Sequence, residues 1–375
     1  MAFTPEELEY LNAHGFDLAL FESWQRGLRD GTLSRASNAV RSELRPPELG
    51  SVAKLPPSGS REHEALREEG LLAIQRGELG VVILNGGMAT RFGGVVKGVV
   101  DVLGPGRSFL GLAIEDVARW DREAGGRIQI FLMNSFATDE ATKAHLLAHG
   151  HFGFDPSRIA HFEQFVSVRM LPNGEVYRAP DGKLSLYGPG HGDFAPAFRK
   201  SGMLRRFLDG GGRHLLVRNV DNLGARVDPA VLGYHLECGK QATVEVAPKW
   251  PGDVGGSPFV LDGKLQLVEQ IRYPEGFQAD VVDVFNTNTF TFAAEALDAD
   301  FELGWYFVAK EVDEQRVVQV EHLIGEMTRH LDCSFLQVRR SGRDSRFLPI
   351  KTPEDLESAR DEIAEMYSDS PAEDG

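Results

Sequence analysis

Gly80-Val81-Val82-Ile83-Leu84-Asn85-Gly86-Gly87-Met88-Ala89-Thr90-Arg91-Phe92-Gly93-Gly94-Val95-Val96-Lys97-Gly98 is the stretch on which the fold turns. Within Val81–Asn85, Val81 to Leu84 form a short, continuous apolar run, followed by Asn85 and a glycine pair, a composition that suits a buried strand in a parallel sheet. Gly86 and Gly87 carry no Cβ, so backbone N–H groups there can approach an anion closely, and Arg91 and Lys97 follow with positive charge. Strand, glycine pair and cations together predict a phosphate cradle. The loop has neither the GxxxxGK[ST] spacing of a P-loop nor the GxGxxG of a dinucleotide fold, so those two readings lose their main support.

Outward from this loop, helix-like and strand-like segments alternate. Strands are predicted at Arg127–Asn134, Ile159–Phe165, His214–Val220 and Thr243–Pro248, and helices at Phe109–Glu123, Thr138–His149 and Pro196–Leu208. Such alternation predicts an α/β fold with a mostly parallel sheet and helices on both faces. Segment 257–292 reads differently, because Asp262-Gly263 between two apolar runs signals a hairpin and hence an antiparallel insertion. A last helix is expected over Pro353–Met366, followed by an acidic end. Toward the N-terminus, Leu8, Leu11, Phe16, Leu18, Phe21 and Trp24 recur at helical spacing within 4–44. A Pro-containing linker and a helix over Arg61–Arg76 follow. The chain is thus divided into an N-terminal helical segment with linker (1–75), an α/β domain (76–335) and a C-terminal segment (336–375).

With 375 residues, 42% hydrophobic and 26% charged, the chain has the composition of an ordinary soluble globule. Its formal charge of −16 repels a nucleic-acid backbone. No apolar run of about 18 residues is present to span a membrane, and the acidic start lacks the pattern of a secretory leader. Cys238 and Cys333 share no metal-binding spacing, which points to reduced thiols and a cytoplasmic setting. An acidic protein can still hold phosphates where it concentrates cations and backbone N–H groups in one cleft. Asp221 stands at the carboxyl end of the strand His214–Val220, where ligands bind in open α/β sheets; it reads as a magnesium ligand or as an Asx turn.

The loop at 84–98 looks like the signature loop of the nucleotide-sugar pyrophosphorylases. LMNSFATDEATKAHL (132–146), YGPGHGDF (187–194), NVDNLGARVD (219–228), FNTNTFTF (285–292) and SRFLPIKTPEDL (345–356) resemble, in order, successive blocks of the eukaryotic-type UTP–glucose-1-phosphate uridylyltransferases. This resemblance implies a Rossmann-like catalytic domain with a mixed sheet. It also implies transfer of the uridylyl group of UTP to a hexose 1-phosphate, glucose 1-phosphate foremost, with Mg²⁺.

Residue by residue, the resemblance puts Leu84, Asn85, Gly86, Gly87, Gln164 and Gly190 on the nucleotide, with the Gln164 amide reading uracil. It puts His191, Asn219, Asn286 and Asn288 on the sugar phosphate, and Asp221 on the metal. Lys97, Lys351 and Arg91 become the catalytic cations, while Lys249 and Lys310 are weaker phosphate candidates. Period-2 alternation would set Asn286 and Asn288 on one strand face, two amides suited to sugar hydroxyls. The chain departs from the family at Ala89, where a glycine is usual, and at Val95-Val96, where Pro or Lys is common. Its length leaves out the C-terminal β-helical domain through which eukaryotic members assemble, so no oligomeric state is carried over. The GHGD sequence (190–193) favours a hexose. The alternatives are N-acetylglucosamine 1-phosphate or a range of sugars, and a non-catalytic nucleotide-sugar sensor.

Overall fold

In the computed structural model, residues 2–89 and 92–368 are described. The chain begins with helices α1 (Pro5–Ala13) and α2 (Leu18–Asp30), each opened by a side-chain cap, Thr4 in a capping box and Asp17. Strand β1 (Val52–Lys54) and helix α3 (Arg61–Gln75) come next. The α/β core then runs β2 (Leu79–Leu84), α4 (Phe109–Glu123), β3 (Gln129–Asn134), α5 (Asp139–Ala148) and β4 (Ile159–Glu163). Helices α6 (Phe194–Lys200) and α7 (Met203–Asp209) lead to β5 (His214–Asn219), α8 (Pro229–Cys238) and β6 (Ala242–Pro248). The rest comprises β7 (Ser257–Leu261), β8 (Lys264–Val268), β9 (Val284–Ala293), β10 (Tyr306–Val312), β11 (Gln315–Glu321), β12 (Cys333–Gln337) and α9 (Pro353–Met366).

Eight strands form one mixed sheet in the order β1-β12-β6-β9-β5-β2-β3-β4. Only β9 runs antiparallel to its neighbours, β6 and β5. The apolar run of β2 explains its central place. Val82 and Leu84 pack on one face with Phe131, Phe198 and Phe207, while Val81 and Ile83 pack on the other with Ile130, Leu132 and residues of α4. A strand covered on both faces has no polar side to alternate with.

Three expectations are revised. The helix expected over Pro196–Leu208 is two helices, α6 and α7, because Gly202 adopts φ 77° and its left-handed backbone stops the first. The hairpin at Asp262-Gly263 is present, both turn residues having positive φ, but β9 within segment 257–292 belongs to the main sheet and is no insertion. The Pro-containing linker contributes the edge strand β1, paired to β12. A second hairpin, β10–β11, and strand β12 carry no turn or period signal strong enough to have been read from sequence.

Helices α3 and α8 cross at two glycines. A Cβ on Gly70 would stand 1.9 Å from the Pro229 carbonyl oxygen, and one on Gly233 would stand 1.9 Å from that of Leu66. Gly70→Ala must therefore push two backbones apart. We expect it to destabilise the protein by about 1–3 kcal/mol, the usual cost of overpacking, read as a lower denaturant midpoint with unchanged slope. An unchanged midpoint would show that this crossing tolerates a methyl group.

Candidate active site

The carboxyl ends of β2, β3, β4 and β5 meet at one edge of the sheet, and Leu84 ends β2 opposite Asn219 of β5. Asn85 is wholly buried beneath the loop that follows. Its amide donates to Asn134 Oδ1 (2.9 Å) and Thr142 Oγ1 (2.8 Å), and a Cβ on Gly98 would come within 2.3 Å of its Oδ1. Asn85 thus pins both ends of the glycine loop from below. The Gly86 carbonyl accepts from Ser135 Oγ, and the exposed Gly87 offers its carbonyl to the Lys97 N–H. Lys97 is buried, its ammonium over the rings of Phe92 (4.6 Å) and Phe109 (5.2 Å). Arg91 lies outside the described residues.

Gln164 follows β4 and ties two loops together. Its Nε2 donates to the Gly190 carbonyl (2.7 Å), and a Cβ on Gly86 or Gly188 would crowd its Oε1, at 2.9 and 2.5 Å. The donor half of this amide is therefore engaged. At Gly190, φ is 102° and a Cβ would meet the His322 carbonyl oxygen at 2.2 Å, so only glycine fits.

His191 Nδ1 accepts from the Ile324 N–H (3.0 Å), and burial, reinforced by nearby His322, pushes its pKa down to about 4. The imidazole is neutral at pH 7 with its proton on Nε2, a donor poised for an anion. Beneath it, buried Asp193 pairs with His322 (2.6 Å), and His322 stacks on Trp305. Trp305 in turn packs against Trp24 of α2. The N-terminal helices thereby support this loop.

Asn219 and Asn288 are joined by a hydrogen bond from the Asn288 amide (3.0 Å), and Asn288 N–H donates to Asn286 Oδ1 (2.9 Å). Simple alternation does not bring the two asparagines together. The β6–β9 register shifts between Glu245 and Val246, and Asn288 adopts φ 56° in a bulge. The Asn286 amide donates to Glu269 Oε1 (3.2 Å). Glu269, a residue the sequence did not single out, is wedged between Gly256 and Gly325. Burial, with the Glu326 carboxylate adding, raises its pKa to about 7. It follows the hairpin strand β8 and shows no motif spacing.

Asp221 sits just past β5, and its backbone carbonyl accepts the Ile350 N–H (3.0 Å). Burial pushes its carboxyl pKa up, while the charges of Lys97 and Lys351 pull it back. Lys351 is exposed and immediately precedes α9, its N–H held by Asp355. Among the described residues, no three His, Cys, Asp or Glu side chains gather to cage a metal. A single half-buried carboxylate such as Asp221 suits Mg²⁺, which takes one or two carboxylates and completes its shell with water and substrate phosphates.

Fold and cleft together define an open α/β protein whose strand ends form a polar, cation-bearing site for a phosphorylated ligand. The family model for UTP–glucose-1-phosphate uridylyltransferase matches residues 39–370, and the chain belongs to that family. It is 28% identical over 353 residues to the UTP–glucose-1-phosphate uridylyltransferase of Encephalitozoon cuniculi, covering 90% of this chain and 66% of that one. With the enzyme of the same name from Saccharomyces cerevisiae it is 32% identical over 301 residues, covering 74% of this chain and 58% of that one. The chain thus spans about 58–66% of the length of these relatives.

Among solved structures, the UDP-N-acetylglucosamine pyrophosphorylase of Trypanosoma brucei superposes with a TM-score of 0.78 at 20% identity, over 95% of this chain and 79% of that one. A UDP-glucose pyrophosphorylase of Leishmania major in complex with UDP-glucose gives 0.69 at 24% identity, over 90% and 78%. Both likenesses establish the fold.

Proposed function

We propose that this chain transfers the uridylyl group of UTP to glucose 1-phosphate, giving UDP-glucose and pyrophosphate. The observation that carries this reading is Asp221, a half-buried carboxylate just past β5 whose backbone is tied to the C-terminal block at Ile350 and whose charge is met by those of Lys97 and Lys351. A sugar-phosphate oxygen forms a bond to the α-phosphorus of UTP as the bond from that phosphorus to the bridging oxygen of pyrophosphate breaks. No general base is required, because the attacking oxygen is already anionic. Mg²⁺, held by Asp221, would supply charge neutralisation on the phosphate oxygens.

This chain's residues position and neutralise. Gly86 and Gly87 offer backbone donors, Lys97 and Lys351 meet the negative charge of the phosphates, and His191 Nε2–H donates to a sugar-phosphate oxygen. Gln164, its Nε2 engaged, presents Oε1 to the N–H of uracil. Asn286, Asn288 and Glu269 face the sugar hydroxyls, and Asn219 holds Asn288. Arg91 extends the loop's positive charge. We place the activity in the cytoplasm, in keeping with two free cysteines; no helix among the described residues is long and apolar enough to cross a membrane. A charge of −16 argues against a nucleic-acid partner.

A pyrophosphate-release assay with UTP and a panel of sugar 1-phosphates tests the reading. Glucose 1-phosphate is expected to outperform N-acetylglucosamine 1-phosphate by roughly 5- to 150-fold, the equivalent of about 1–3 kcal/mol of overpacking by the acetamido group. Equal or better turnover of the N-acetylated sugar overturns the sugar assignment. Nucleotide-sugar binding with no turnover of any sugar makes the chain a sensor.

A further inference from the structure

A cavity of about 260 Å³ lies outside the cleft, between α3, the exposed side of α4, the start of α8 and the loop after β12. Six guanidinium groups line it, those of Arg67, Arg119, Arg226, Arg339, Arg343 and Arg346, against three carboxylates, Glu64, Asp228 and Asp344. A protein of formal charge −16 thus gathers six arginines around one concave space. Four of the arginines have carboxylate partners: Arg67 with Glu123, Arg119 with Asp116, Arg339 with Asp344, and Arg346 with Glu245 and Asp228. Arg226 and Arg343 differ. Arg226 donates to the Met366 and Arg343 carbonyls and Arg343 to the Ser368 carbonyl, and neither has an ion pair with a carboxylate among the described residues.

Guanidinium groups held near one another repel, and burial compounds the cost. The Arg226 pKa is lowered by desolvation, Asp116 and Tyr367 pull it back up, and Arg346 and Arg119 push it down by less. An oxyanion would give Arg226 and Arg343 the charged partner that their carbonyl contacts do not supply, and guanidinium forks match phosphate oxygens in geometry. The Trp120 indole, flanked by Arg67 (5.8 Å) and Arg119 (5.3 Å), adds an apolar wall. The volume exceeds what one phosphate fills and lies just under the roughly 300–1,000 Å³ of metabolite pockets.

We infer that this arginine-lined cavity is a second ligand site, for a small phosphorylated metabolite, separate from the nucleotide cleft. Its walls are continuous with the cleft. Val227 and Asp228 follow Asp221 on one segment, Arg346 precedes Lys351 on another, and the two segments are joined by Leu348 N–H to Asn222 Oδ1 (2.9 Å) and Ile350 N–H to the Asp221 carbonyl (3.0 Å). A bound phosphate would therefore act on the positions of both Asp221 and Lys351.

The test titrates the full-length protein with orthophosphate and follows its thermal unfolding, with sodium chloride of matched ionic strength as control. A saturable rise in Tm with phosphate and none with chloride is expected. In Arg119→Gln/Arg343→Gln the half-saturating concentration should rise at least ~10-fold, about 1.4 kcal/mol, while Lys351→Ala should leave it unchanged. Should the double variant fail to unfold cooperatively, Arg67→Gln, half-exposed on α3, is expected to show a several-fold rise. Absence of saturation, an equal response to chloride, or an unchanged response in the arginine variants overturns the inference. Loss of the response in Lys351→Ala overturns it as well, by moving phosphate to the cleft.

Discussion

Asp221→Asn is expected to lower turnover by about 10²- to 10³-fold, the scale of losing one preorganised electrostatic contact, and to leave the residual rate nearly independent of magnesium. The substitution preserves shape but removes the charge that recruits a divalent cation. The fold should survive, because the backbone carbonyl of Asp221, not its carboxylate, accepts the Ile350 N–H. A carboxyl already pushed up by burial also loses little when its charge is removed, apart from the attraction of Lys97 and Lys351. Turnover at several magnesium concentrations, with thermal unfolding on the same preparation, decides the matter. Unchanged rate and unchanged magnesium dependence would remove Asp221 from the site.

Lys351→Ala is expected to lower kcat by on the order of 10²- to 10³-fold while weakening UDP-glucose binding far less. Lys351 is exposed and makes its structural contact through its backbone, to Asp355, so truncation leaves the capping box of α9 in place. Its charge nevertheless lowers the carboxyl pKa of half-buried Asp221. An exposed ammonium on the segment that ties to Asp221 through Ile350 is placed to swing onto phosphates when the C-terminal segment closes over them, as lids commonly do. A contact made mainly as charge develops appears in turnover more than in affinity. Rate measurements and calorimetry on one preparation separate the outcomes. Near-normal kcat refutes the catalytic role, and loss of all ligand binding makes Lys351 a binding residue.

Glu269 and the Asp193–His322 pair show where sequence reasoning stopped. Asp193 and His322 lie 129 residues apart and share no spacing, yet their 2.6 Å contact fixes the loop that presents His191. Glu269 follows an unremarkable strand, and only the approach of Gly256, Gly325 and Asn286 turns it into a half-buried acid. Gln164 was legible as the end of a strand. That its donor half is consumed by the Gly190 carbonyl was not.

The sequence by itself determined the α/β class, the burial of β2 on both faces and the bounds of α4 and α9, because these follow from local facts: a run of apolar residues and a 3.6-residue period. The glycine loop and Asp221 could be singled out from their own residues and their place after a strand, whereas Lys351 stood out only through the resemblance of its block. Only the tertiary structure decided that β9 enters the sheet antiparallel, that a bulge brings Asn288 to Asn219, and that the block carrying Lys351 is tied at Ile350 to the Asp221 backbone. Strand direction, register and the burial of a charge depend on partners far away along the chain, and no window of sequence contains them.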